Sequence, residues 1–210
     1  MLEIRAEQFG LPLDWPAGRD DELFVTDSNR AAVRHLDRPS MWPVMTTILT
    51  GPRLSGRNLL ARRLVARTGG RAFDRAEAHD EEEIFHAWNA AQASRRPLLL
   101  IADSPPPDWT PRLPDLASRL SATPHVSIGQ PDDALFAALL GKLLAARGLF
   151  APPELARYLQ SRVERSYLTI HRIVDAIDRY LLSRGGRLTV PLARRALEEA
   201  GLIDAPRPAG

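Results

Sequence analysis

The residues best arranged for chemistry are Gly51-Pro52-Arg53-Leu54-Ser55-Gly56-Arg57-Asn58. A phosphate-binding loop has the form G-x-x-x-x-G-K-[ST]. Its glycines let backbone amides wrap phosphates, its lysine bridges the β and γ phosphates, and its hydroxyl ligates magnesium. Both glycines are in register here, but arginine stands at the lysine position and asparagine at the hydroxyl position. A guanidinium is planar and bulkier than an ammonium, so it does not fit between phosphates without adjustment. Asn58 offers a carbonyl oxygen that is longer and differently aimed. Gly51, Ser55, Gly56, Arg57 and Asn58 are therefore the candidate nucleotide-binding residues, with ADP or ATP as the ligand and little hydrolysis expected. The plainer alternative is an ordinary glycine-bounded turn. The chain's one lysine, Lys142, lies far along the sequence. His35, His79, His86, His125 and His171 show no metal-ligand spacing, and the acidic run Asp80 to Glu83 reads as a helix cap, so no metal site is expected.

The elements that must position this loop are legible. Val44 to Thr50 is a short apolar, β-branched run that reads as a buried strand. Arg57 to Arg67 carries Leu59, Leu60 and Leu64 at helical spacing, so the loop sits between strand and helix. Upstream, Asp27-Ser28-Asn29 offers capping side chains before a helix beginning at Arg30. A weak strand is predicted around Arg71 to Asp74, and a helix over Asp80 to Ser94 with Ile84, Phe85, Trp88 and Ala91 as its buried stripe. Leu98 to Ala102 is the clearest buried strand. A proline-rich loop then leads to a short helix around Asp115 to Leu120 and a strand at Val126 to Gly129. From Asp132 the pattern is helical only, over 133–147, 152–162, 167–184 and 190–201. Strands alternating with helices, followed by a helical tail, predict an α/β domain with an α-helical appendage.

Composition narrows the class. A net charge of +2 makes no case for nucleic acid, and the absence of cysteine removes disulfides and thiolate metal sites. No apolar run approaches the roughly 18 residues of a membrane span. Met1 to Arg5 lacks the basic and apolar pattern of a secretory signal, so a cytoplasmic protein is expected.

Several segments together resemble the AAA+ proteins of bacterial replication initiation, the DnaA and Hda group. Gly51 to Leu60 resembles a degraded Walker A loop. Leu113-Pro114-Asp115-Leu116-Ala117-Ser118-Arg119-Leu120 resembles the group's arginine-finger segment, and Asp132 to Leu202 resembles its helical lid. Asp21 to Val25 before Ser28-Asn29 resembles the start of its nucleotide domain. Gln8-Phe9-Gly10-Leu11-Pro12-Leu13 resembles the sliding-clamp-binding peptide of Hda. Beyond the loop, the chain departs from the group in two places. Only 41 positions separate Arg57 from Leu98, which leaves room for one weak strand, so a strand unit bearing the Walker B acids is inferred to be deleted. Leu98 to Asp103 then falls at the sensor-1 position, the alternative being a Walker B strand with Asp103 on magnesium. Leu168 falls where the lid of such families places a phosphate-touching arginine, with Arg165 and Arg172 as the nearest substitutes.

The resemblance implies a leader over 1–20, a reduced AAA+-like parallel α/β domain over 21–131 and a helical lid over 132–205. It also implies a regulator of replication initiation that binds the sliding clamp through Gln8, Leu11, Pro12 and Leu13. Such a regulator acts on ATP-bound DnaA, with Arg119 as an arginine finger in trans. No recognition helix follows the lid, so no sequence-specific DNA binding is expected. Two other classes stay open: a small P-loop ATPase or kinase using Arg57, and a nucleotide-free AAA+-derived interaction scaffold.

Overall fold

A computed structural model describes residues 22–204. The leader and the candidate clamp peptide Gln8, Leu11, Pro12 and Leu13 lie outside the described residues. Four parallel strands form one sheet: β1 (Thr46–Thr50), β2 (Arg71–Phe73), β3 (Leu98–Ile101) and β4 (His125–Ser127), in the order β2-β3-β1-β4. Thr46 pairs with Leu98, Ile48 with His125 and Arg71 with Leu98. One three-residue strand lies between the loop helix and β3, as the spacing predicts.

The period-2 alternation of strand side chains sorts the core. Leu49, Leu99 and Ile101 face one side, where α1 (Arg30–Asp37) and α2 (Arg57–Thr68) cover them with Ala32, Leu36, Leu60 and Leu64. Ile48, Leu98 and Leu100 face the other side, under Ile84, Ala87 and Ala91 of α3 (Glu81–Ser94) and Leu116 and Leu120 of α4 (Pro114–Ser121). β1 and β3 are buried throughout, which suits an inner pair covered on both faces.

The remaining helices are α5 (Asp133–Ala146), α6 (Leu155–Gln160), α7 (Tyr167–Arg184) and α8 (Val190–Glu199). They bury their own core around Phe136, Leu140, Leu155, Ile173, Ile177 and Leu197. Leu135 and Tyr167 belong instead to the sheet's core, so they fasten the helical part to the strands. Two polar contacts strengthen that joint. The Tyr167 hydroxyl donates to the Gly129 carbonyl at 3.1 Å. Asp132 accepts from Leu135 N at 2.8 Å, capping α5, and from Ser28 N at 3.2 Å. Burial pushes the Asp132 carboxyl up, but the amides of Leu135, Ser28 and Ala134 and the Thr26 hydroxyl outweigh it and hold the group below its ordinary value.

Asn29 behaves differently from the expected cap. It makes no side-chain bond into α1. Its Nδ2 donates to Phe24 O at 2.7 Å and its Oδ1 accepts from Thr26 N at 2.9 Å, which folds the preceding segment back on itself. Asx side chains readily make such local turns.

Candidate functional site

The loop runs from the end of β1 into α2, and its backbone has the shape a glycine loop requires. Gly56 sits at φ 88° at the N-cap of α2, and Gly51 sits at φ 150°. A Cβ on Gly51 would come within 2.9 Å of Ile128 Cβ, so only glycine lets β1 turn here against the segment after β4. Leu54 occupies the left-handed region at φ 65° with its side chain exposed.

The side chains that make such loops chemical are engaged elsewhere. Arg57, the first residue of α2, donates from Nη1 to Ala102 O at 3.0 Å and to Asp103 Oδ1 at 3.1 Å. The Arg57 side chain is 11% exposed and that of Asp103 68%, so the cation is largely enclosed and its counter-ion faces solvent. Asn58 Nδ2 donates to Asp74 Oδ2 at 3.1 Å. Asp103 is fixed in turn by its backbone N–H, which donates to Glu77 Oε1 at 2.8 Å. Ser55 Oγ is closed to solvent and has no hydrogen-bond partner among the described residues.

Arg57, Asn58, Asp74 and Asp103 border a cleft of about 580 Å³, lined also by Arg53, Arg62, Arg75 and His171. His171 belongs to α7, so the helical part closes one wall. Like Arg62, Asp74 and Arg75, it is a site residue that sequence reasoning missed. It lies three positions after Leu168, which is itself exposed to solvent, so one turn of α7 carries His171 to the cleft wall. Burial, with Arg147 in support and Asp175 opposed, lowers the proton affinity of His171 below the ordinary imidazole value. Arg165 pairs with Asp133 at 3.2 Å, which takes one of the expected substitute cations away from the cleft.

Arg119 lies on α4, under the other face of the sheet. Its guanidinium covers Phe85 at 4.3 Å and Trp88 at 4.6 Å from the ring centroids and donates to Asn89 Oδ1. Phe85 and Trp88, expected in the buried stripe of α3, are half-buried beneath it. The loop that presents α4 is held by Glu81, whose carboxylate accepts from the amides of Arg112 at 2.9 Å and Leu113 at 2.7 Å. Those two amides keep the Glu81 carboxyl below its ordinary range.

A nucleotide is the ligand this fold implies, and the loop's side chains do not fit it. The position that should hold a mobile cation holds one tied to the protein. The position that should hold a magnesium ligand holds an amide donating to a carboxylate. Two carboxylates, Asp74 and Asp103, line the same cleft.

Comparison with known proteins places the fold. Residues 133–197 match the family model described as the lid domain of Hda. Domain III of the replication initiation protein DnaA from Thermotoga maritima superposes with a TM-score of 0.70 at 14% identity, covering 91% of this chain and 100% of that one. The RuvB Holliday junction branch migration motor of Thermotoga maritima gives 0.63 at 13% identity, over 86% and 72% of the two chains. AMPPCP-bound DnaA from Aquifex aeolicus gives 0.58 at 15% identity, over 85% and 66%. At these identities the structural likeness is one of fold, and the family match covers the C-terminal helices alone.

Proposed function

Proceeding from a Hda- and DnaA-related AAA+ protein with a Hda-type lid, we propose that it regulates bacterial replication initiation by acting on a partner's nucleotide rather than its own. The supporting observation is the pairing of a Hda-type lid with an AAA+ fold whose glycine loop has the backbone shape of a phosphate loop while its Arg57 and Asn58 side chains bond partners within the chain.

In this reading the partners are the polymerase sliding clamp and ATP-bound DnaA. Gln8, Leu11, Pro12 and Leu13 form the clamp peptide: Leu11 and Leu13 enter an apolar pocket, Gln8 bonds at its rim, and Pro12 lowers the entropy lost on docking. Arg119 supplies the arginine finger, stabilising charge that develops on the partner's γ-phosphoryl group. To do so its guanidinium exchanges the Phe85 and Trp88 faces for phosphate, a stronger, charge-assisted partner.

The experiment mixes the purified protein with clamp, DNA and ATP-bound DnaA and follows nucleotide turnover. Acceleration that is lost in Arg119→Ala, with clamp binding intact, is the expected result. No acceleration by the unaltered protein sinks the reading. A nucleotide-free interaction scaffold is the second reading, favoured by the enclosed Arg57 side chain. It predicts clamp or DnaA binding with no change in turnover.

A further inference from the structure

We infer that the glycine loop is closed by an internal ion pair, Arg57 with Asp103, and that the folded chain takes up neither ADP nor ATP.

The argument starts at the N-terminus of α2, where unpaired amides carry partial positive charge and normally attract phosphate. A cation at the first helical position is unfavourable there unless an anion accompanies it. Asp103, at the end of β3, is that anion, and the guanidinium spans both its carboxylate and the neighbouring Ala102 carbonyl. The pair therefore joins α2 to β3 across the place where a phosphate would be gripped. The enclosed cation is thus met within the chain, while Asp103 keeps most of its exposure to solvent.

Three further features act in the same direction. Asn58, bonded to Asp74, brings a second carboxylate to the cleft, and carboxylates repel a polyphosphate that arrives without a cation between them. His171 supplies an imidazole of lowered basicity on the lid wall, so α7 adds no fixed cation where it borders the cleft. Ser55 Oγ is shut off from solvent and does not line the cleft, so its hydroxyl does not face an incoming anion. Arg53, Arg62 and Arg75 line the outer cleft, but a guanidinium on a solvent-facing wall is not a phosphate cradle without the loop's own cation. The lock holds whichever partner the chain serves. Under the reading above, it makes the regulator indifferent to the cell's ratio of ATP to ADP.

The test uses the full chain in calorimetric titration and thermal denaturation with ADP and ATP, each with and without magnesium, up to millimolar concentration. No heat of binding and no rise in melting temperature are expected in any of the four conditions. Uptake of either nucleotide below millimolar concentration overturns the inference, whatever the chain does to DnaA. The pair itself is tested by a double-mutant cycle in chemical denaturation, run without nucleotide, over Arg57→Ala, Asp103→Ala and the double variant. Each single change is expected to shift the unfolding equilibrium roughly two- to tenfold. The double variant should shift it no further than the larger single change. Additive shifts would show that the two side chains do not act as one lock. The titration of the unaltered chain stands even if a variant fails to fold.

Discussion

Arg119 shows how a residue can be picked out by its neighbours in sequence and still be held in an unforeseen way. Leu116-Ala117-Ser118 singled it out, and the short helix α4 carries it as expected. Nothing in that string reveals that Phe85 and Trp88, some thirty positions earlier, lie beneath it or that Asn89 bonds it. Such a cation over two aromatic faces contributes about 1 kcal/mol at a half-buried site. Arg119→Ala should therefore lower the unfolding free energy by roughly that amount in urea denaturation, and Arg119→Lys should recover part of it. A variant of unchanged stability would mean the stack contributes nothing in solution. The same measurement guards the turnover assay, because a loss of stimulation counts only where the variant remains folded. Arg57 teaches a similar lesson. The sequence shows that it is not lysine, but only the fold brings Asp103 within reach, since the two stand 46 positions apart.

Among the elements, those written in local pattern were the most legible. Leu98 to Ile101 is apolar throughout and buried throughout, and α7 spans Tyr167–Arg184 as its periodicity predicts. β2 was legible only as a weak strand, because three residues carry too little pattern to separate strand from turn. α6 is shorter than its predicted span, running Leu155–Gln160 after the Pro152-Pro153 pair. The direction in which an exposed helical residue faces depends on packing, which is why His171 on the cleft wall went unforeseen. The turn from α2 to β2 offers a test of element geometry at two adjacent glycines. Gly69 ends α2 at φ 64°, with open space where a Cβ would stand. A Cβ on Gly70 would lie 2.2 Å from the Pro97 carbonyl oxygen, which accepts the Arg71 amide beside β3. Gly69→Ala should cost about 1 kcal/mol, from left-handed strain alone. Gly70→Ala should cost roughly 2–4 kcal/mol, because backbone must move to admit it. Equal losses of melting temperature for the two variants would contradict this geometry.

For the molecule as a whole, charge and protonation set the conditions under which it holds together. Burial lowers the proton affinity of His35, His125 and His171. His35 stacks on Trp42 and bonds the Thr47 hydroxyl, which itself donates to Pro124 O, so the imidazole Nε2 must bring the proton to that bond. For each of the three, the unfolded chain binds more protons than the folded one just below the ordinary imidazole value of about 6.5. Their contribution is thus complete above that value and falls away as pH drops toward the folded values. Asp132 and Glu81, held below the ordinary carboxylate range, add a second loss that begins below about pH 4. Urea denaturation from pH 8 to pH 3 should show stability flat at first, declining below 6.5 and again below 4. A rise in stability between pH 6.5 and 5 would refute the histidine part. Among the described residues no helix is long and apolar enough to cross a membrane.

The joint around Gly129 and Asp132 carries a last implication. Proteins that cycle through nucleotide states need a wrist, and this chain has its wrist splinted: one carboxylate clasps both sides, and a phenol reaches back across the crease. Opening that crease must break the two bonds that cross it, from Ser28 N to Asp132 and from the Tyr167 hydroxyl to Gly129 O.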